Sequence, residues 1–418
     1  MALEIQIIES LRKGIPPQIG VEKYSVGNEK LIEGIKKYHL SSIDELGKMR
    51  FISGSWGGGK THLFRLIRDI AFQENCAVSN VELTVDSAPL NKFEQVFYSI
   101  VRNISTPTYY QKSQFSDVAP IGTLIEESLY ALGGSKIEPE SEITYEQYSK
   151  AVEKLMANKG IDIDFKKMIQ HYWQTYLPDS PNKAVVEQVR EEILQWFAGE
   201  GTISTFRKRF GVNKMVSRQN AKLMLQSLAQ FVKLAGYKGL VILFDEAEQS
   251  YSIMRKSALR DAHNNLLSLI NNIQTIPGIF MIYATTPDFY TDPKHGIVIY
   301  GALASRIGKP EDKPPDALDV IWNLDAVVTE LKDYQKAARK IRNIYIEAYP
   351  EAKNKISDES ETDKFIEELY KKHPKYGTVK FWRVMVTALI QKYDSQMEGK
   401  KFPTEKIYRD IMDRLREE

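Results

Sequence analysis

Apolar residues recur at helical spacing over residues 3–13, with Ile5, Ile8 and Leu11 on one face. The run GIPPQIG (14–20) interrupts that pattern, and residues 28–38 resume it. Residues 49–53 are a short apolar run that reads as a buried strand, followed by a helical pattern over 61–72. Residues 77–85, AVSNVELTV, alternate like a strand, and 93–104 return to helical spacing with Phe93, Val96, Phe97 and Ile100 in one stripe. KGLVILFDEAE (238–248) has almost no polar side chain before Asp245, so both of its faces must be covered. That is the signature of a central parallel strand. A helix over 257–274, a second buried strand in PGIFMIYATTPDF (277–289) and a last strand over 317–324 follow. GKPEDKPPD (308–316) is a loop, and from there to the end the pattern is helical. Strands alternating with helices imply a parallel α/β sheet flanked by helices.

The pattern divides the chain into four stretches: an N-terminal core part (1–104), a mainly helical insertion (105–235), a second core part (236–324) and an all-helical C-terminal domain (325–418). Tyr109, Tyr110, Tyr172, Trp173, Trp196 and Phe197 are expected to form the insertion's own core, and partner specificity is expected to reside there.

Between the first strand and its helix stands GSWGGGKTHL (54–63). Gly54, Gly59, Lys60 and Thr61 fit G-x-x-x-x-G-K-[ST], with Gly57 and Gly58 between them. Glycines let backbone N–H groups turn inward at a helix N-terminus, making an anion site. The lysine reaches the β- and γ-phosphates, and the threonine hydroxyl serves Mg²⁺. Lys60 is therefore expected to be essential, with ATP and Mg²⁺ as the cofactors. His62 follows the loop and is expected to pack beside the sheet.

Asp245 and Glu246 end the apolar strand. There Asp245 would hold Mg²⁺ and Glu246 would polarise the attacking water, which favours hydrolysis over passive binding. Thr285 and Thr286 end the next strand, and either could orient that water. DEAE (245–248) followed by ATT (284–286) also fits motifs II and III of a superfamily-2 helicase. That reading needs a second lobe with an arginine-rich motif, and Q-x-x-G-R-x-x-R is absent. A kinase finds less support, since nothing marks an acceptor pocket. Arg306, in YGALASRIG (300–308), lies where oligomeric AAA+ ATPases often carry an arginine that reaches a neighbour's γ-phosphate. Lys380 or Arg383, in GTVKFWRVMVTALI (377–390), could be the lid cation that senses the nucleotide, and the pattern leaves both open.

Composition narrows the partners. Lys plus Arg total 57 against 55 Asp plus Glu, which excludes a chain-wide nucleic-acid field but not a local patch. Two stretches lack acids: RKRFGVNKMVSRQNAK (207–222) and KKHPKYGTVKFWR (371–383), the second interleaved with aromatics. Both are candidates for nucleic-acid contact. Cys76 is the only cysteine, which leaves no intramolecular disulfide and no cysteine-based zinc site. No apolar run reaches the ~18 residues of a membrane span, and Glu4 and Glu9 argue against a signal peptide. A cytoplasmic protein is expected.

SVGNEKLIEGI (25–35), FISGSWGGGKTHLFRLIRDIA (51–71), VSNVELTVDSAPLNKFEQVFYSIVRNI (78–104), GYKGLVILFDEAE (236–248) and PGIFMIYATTPDF together resemble the ATP-binding proteins of bacteriophage-exclusion (BREX) defence systems. That family is similar in turn to the origin-recognition branch of AAA+ ATPases. The V-E-L stretch followed by Pro-Leu-x-K-F-E is the most specific part. The resemblance implies an AAA+-like P-loop fold with a helical lid, and ATP binding and hydrolysis as a switch or motor in an antiphage, DNA-handling system. It also implies a helicase or other defence protein as partner, and it is compatible with a homo-oligomer. Its motif residues fall on Gly54, Gly59, Lys60, Thr61, Asp245 and Glu246, and it places Val26 and Gly27 near the adenine. The stretch after Arg383 is too short for the winged helix that origin-recognition proteins carry, so direct duplex recognition is not expected. The alternative function is a non-catalytic scaffold that assembles when nucleotide is bound.

Overall fold

The computed structural model describes residues 2–84, 86–112, 121–134, 143–247, 254–327, 329–374 and 380–417. Six strands form one sheet: β1 (Lys48–Ser53), β2 (Ala77–Glu82), β3 (Ile104–Ser105), β4 (Leu240–Asp245), β5 (Ile279–Thr285) and β6 (Ile321–Asn323). Their order is β3-β2-β4-β5-β1-β6, and only the short β3 runs antiparallel to its neighbour. All seven residues of β5 and the first five of β4 are buried, as two covered faces require.

Two strands are shorter than their sequence patterns suggest. β2 closes at Glu82, opposite Asp245, where β4 ends; Leu83 N–H reaches the Asp245 carbonyl at 2.9 Å, and Val85 of the expected strand lies outside the described residues. At the other edge, the carboxylates of Asp316 and Asp319 accept from the backbone N–H groups of Leu318 and Asp316. These bonds fold residues 316–319 into a turn, so only Ile321–Asn323 of the expected 317–324 strand pair with β1.

The period-2 alternation of the strands sorts their side chains between two cores. Val241, Leu243, Phe280 and Ile282 face a cluster with Leu63, Phe64 and Ile67 of the helix Lys60–Gln73. Ile242, Phe244, Met281 and Tyr283 face a larger cluster that includes the helices Phe93–Arg102 and Ala221–Leu234. The second cluster runs without interruption into the insertion, through Phe97 to Phe165, Trp173, Trp196 and Phe197. The insertion's aromatic residues therefore do not form a separate core. Trp173 and Trp196 are fully buried, and their indole N–H groups donate to the carbonyls of Ile125 (2.7 Å) and Lys214 (3.2 Å). Tyr110 departs further: its ring packs on Phe72 at 4.5 Å and its hydroxyl donates to Asp69 at 3.0 Å.

A third core joins the two ends of the chain. Ile7, Ile8 and Leu11 of the helix Ala2–Arg12 pack with Ile341, Tyr345, Leu389 and Tyr393 of the helices Leu331–Ala348 and Phe381–Met397. Arg12 closes this layer with two 2.8 Å bonds to the carboxylate of Asp394.

Candidate nucleotide-binding site

The loop after β1 is shaped by its glycines. Gly57 (φ 70°) and Gly59 (φ 91°) hold left-handed backbone, which a side chain disfavours. A Cβ at Gly58 would come within 2.9 Å of the Ser55 carbonyl. Gly54 N–H is tied to the Thr285 carbonyl at 3.1 Å, which fixes the loop's start to β5. Gly59 then caps the helix Lys60–Gln73, whose first-turn N–H groups and positive dipole end face the loop. Lys60 is 8 % exposed. Its ammonium donates to the Gly54 carbonyl at 2.8 Å and lies 5.4 Å from the centre of the Trp56 ring. Trp56 itself is 62 % exposed.

The acidic end of β4 stands opposite. Thr61 Oγ1 donates to Asp245 Oδ2 at 3.2 Å, and Glu246 N–H donates to Asp245 Oδ1 at 2.9 Å. Burial holds the Asp245 carboxyl above its ordinary value, against the lowering effect of those two bonds. Glu246 carries a left-handed backbone at φ 54°, uncommon for a residue with a side chain. Backbone of this kind clusters at functional sites.

Around the loop lies a cleft of about 480 Å³, within the size of small-molecule sites. It is lined by Val26 and Gly27, by Gly57, Gly58, Gly59, Lys60, Thr61 and His62, by Asp245 and Glu246, and by Lys380 and Arg383. These sequence-predicted residues thus meet in one place. His62 packs against the segment before Val26. Its Nε2 is 3.0 Å from Ser25 Oγ and its ring meets Tyr24 edge-on at 5.5 Å. It therefore leans on the N-terminal segment. Burial pushes its pKa down to about 4, so it is neutral at physiological pH. Lys380 Nζ lies 3.2 Å from Asp325 Oδ1, and Arg383 Nε donates to the Gly14 carbonyl at 3.2 Å.

Gly54, Thr285, Thr286 and Arg306 stand apart from the lining, Gly54 behind the loop where its carbonyl accepts from Lys60. Thr285 is fully buried beside Ser53 of β1, and Thr286 is 6 % exposed. The hydroxyls of Ser53 and Thr285 are both buried without a hydrogen-bond partner among the described residues. Arg306, on the helix Gly301–Ile307, donates to Asn271 Oδ1 at 2.7 Å and to the Ala302 carbonyl at 3.0 Å.

Asp325 joins the site without any motif to mark it. Its carboxylate accepts from Ser55 N–H at 2.8 Å and Ser55 Oγ at 2.6 Å, inside the phosphate loop. A usable signal does exist in IWNLD: an apolar strand closing on an acid, as in β4.

Several cations of the two basic stretches are paired with acids from elsewhere in the fold, while Arg207 and Lys208 are exposed. Arg209 pairs with Glu192, Lys214 with Asp162 (2.7 Å) and Arg218 with Asp261 (3.1 Å). Lys222 donates to Ser268 Oγ at 2.6 Å. In the second stretch Lys371 pairs with Glu367, and Lys372 with Glu368 and Glu405. Phe381 is buried, and Trp382 packs on Tyr334 at 4.5 Å. Lys375 and Tyr376 lie outside the described residues.

A glycine loop between strand and helix, a lysine over its carbonyls and an acid on the strand two positions away are consistent with a P-loop-like α/β protein. The chain belongs to the family of BREX system ATP-binding proteins BrxC/D, whose model matches residues 2–412. That match spans every element of the cleft. No curated protein matches the chain.

Proposed function

We propose that the chain binds ATP in this cleft and hydrolyses it, acting as an AAA+-like switch or motor of the BREX antiphage system beside a helicase or another defence protein. The observation that carries this reading is the 3.2 Å contact between Thr61 of the loop and Asp245 of β4, with Glu246 next in the chain. The strand order supports the AAA+ assignment, because β5 lies between the loop strand and the acidic strand. The family's description supports ATP as the nucleotide.

In this reading Lys60 leaves the Gly54 carbonyl for the β- and γ-phosphates. Glu246 accepts a proton from water as that water's oxygen bonds to the γ-phosphorus. The bond from the γ-phosphorus to the bridging oxygen breaks, leaving ADP and phosphate. Thr61 and Asp245 offer a hydroxyl and a carboxylate, a set of oxygen donors that suits Mg²⁺. Bound there, the ion would neutralise charge on the phosphates. Thr285 and Thr286, at the end of β5, would orient the water from the sheet. Arg306 is exposed and outside its own chain's cleft, which suits an arginine acting on a neighbouring subunit's nucleotide.

Phosphate release by the wild type and Glu246→Gln, with and without DNA, tests the reading. The wild type should turn over, and the variant should bind ATP while turnover falls by at least about a hundredfold. If neither protein hydrolyses ATP and oligomer size follows the nucleotide, the scaffold reading replaces this one.

A further inference from the structure

Asp325 places a negative charge where a phosphate-binding loop would favour none. It follows β6, which pairs with the loop strand β1, and it lies where the chain leaves the sheet for the C-terminal helices. Its Oδ2 takes the N–H and hydroxyl of Ser55, and its Oδ1 takes the ammonium of Lys380. Lys380 is the N-cap of the 17-residue helix Phe381–Met397, so the positive dipole end of that helix adds to the same corner. Gly58 belongs to this arrangement too, since a Cβ there would stand 3.4 Å from Asp325 Oδ1. Although burial raises it, the Asp325 pKa is lowered overall by the bonds from Ser55 and Lys380, so the group is ionised at neutral pH.

We infer that Asp325 is a positioning residue that acts as a resident anion: it holds Lys380 against the loop and competes with nucleotide phosphate for that lysine. The inference rests on the nucleotide reading above. A phosphate arriving at the loop meets a lysine already engaged and a carboxylate that repels it. Transfer of Lys380 from Asp325 to the phosphate relieves both, and it draws the C-terminal helices toward the ligand. A simple brace for the loop would behave differently. Its loss would weaken binding whatever residue stands at 380.

The discriminating experiment titrates a fluorescent methylanthraniloyl-ATP into the wild type, Lys380→Ala, Asp325→Asn and the double variant. Lys380→Ala should weaken binding by ~10–100-fold, because it removes a charged contact and leaves the Asp325 charge unpaired. Asp325→Asn should bind more tightly than the wild type, by at least about fivefold. The double variant should recover most of the loss caused by Lys380→Ala. Asp325→Ser, which also removes the charge but keeps an oxygen acceptor, should rescue in the same way, and thermal unfolding of each variant without nucleotide checks its fold. A double variant as weak as Lys380→Ala, or weaker, overturns the inference and makes Asp325 a brace. Lys60→Met serves as the control for the nucleotide reading. If it binds as well as the wild type, that reading falls and this inference with it.

Discussion

Replacing Lys60 by methionine separates the lysine's part in nucleotide binding from its part in the fold. Methionine keeps the length of the stem in a position only 8 % exposed and deletes the ammonium. Without nucleotide the change removes a charged hydrogen bond to the Gly54 carbonyl at 2.8 Å, worth ~1.5–3 kcal/mol. The thioether no longer carries the desolvation cost of a buried cation, which offsets much of that loss. The unfolding midpoint should therefore move little. With nucleotide the balance changes. Two unit charges ~4 Å apart interact by about 4 kcal/mol at an effective dielectric near 20. Stripping water from both ions consumes part of this, leaving about 2.7 kcal/mol, or about a hundredfold in Kd. At an ATP concentration about a hundred times the wild-type Kd, binding stabilises the wild type by about 2.7 kcal/mol. For Lys60→Met the same concentration equals its Kd, and the stabilisation falls to about 0.4 kcal/mol. Scanning calorimetry with and without MgATP reads both quantities. An ATP-induced shift as large as the wild type's would refute the assignment of Lys60. A large fall without nucleotide would make it a structural lysine.

Further outcomes follow from burial and charge. Asp245→Asn keeps the acceptor for Glu246 N–H and removes a carboxylate that burial holds above its ordinary value; it should unfold at higher urea concentration at pH 7 while ATP turnover is lost. His39, His62 and His263 are each pushed down to about 4 by burial. Between pH ~6.5 and 4 the unfolded chain binds protons there that the folded chain does not, so stability should fall as pH drops through that window. Asp69, raised to about 7 by burial, works against this slope, and urea unfolding at several pH values should show a steeper fall for Asp69→Asn. Trp173→Ala removes a fully buried indole from the core shared by sheet and insertion, and should cost ~3–5 kcal/mol in one transition seen alike by circular dichroism and tryptophan fluorescence. Separate transitions would mean that the insertion has its own core.

The elements that hold the phosphate loop were legible because their signals are local. Gly57 and Gly59 are needed for left-handed backbone, and the apolar run of β4 breaks abruptly at Asp245. What stayed hidden depends on pairings between distant segments. The stretch 207–222 has no acid of its own, yet Glu192, Asp162 and Asp261 reach it from elsewhere in the fold. His62 is one residue past a recognisable motif, but its neighbour Ser25 belongs to a different segment. The amphipathic pattern of the helix Ala2–Arg12 identifies a buried face without saying that the C-terminal helices cover it. Asp325 is half-hidden: the acid closing IWNLD marks a strand end, but only the pairing of β6 with β1 brings it to Ser55.

These distant pairings also explain how an event at the phosphates would reach the helical layer. The helix Lys60–Gln73 belongs to two cores at once: Leu63, Phe64 and Ile67 pack toward the sheet, while Leu66 packs with the C-terminal helices. Arg65 and Arg68 on the same helix donate to the carbonyls of Pro16 and Gln18, which ties the segment before Val26 to it. Lys340, from the helix Leu331–Ala348, donates to the Ser25 carbonyl at 2.8 Å. The wall of the cleft formed by Ser25, Val26 and Gly27 is therefore fastened to the loop's helix on one side and to the C-terminal layer on the other. Across the phosphate end, by contrast, the layer meets the loop through the partly exposed pair of Lys380 and Asp325. A partly exposed ion pair is cheap to exchange, whereas the packed wall is not. Rearrangement on nucleotide binding should accordingly concentrate at Lys380 and leave the Ser25–Gly27 wall in place. Hydrogen exchange that slows at residues 324–327 and at the start of the helix Phe381–Met397 on ATP binding, with the Val21–Gly27 amides unchanged, is the expected pattern. Uniform protection of both regions would mean that the layer closes as a rigid lid instead.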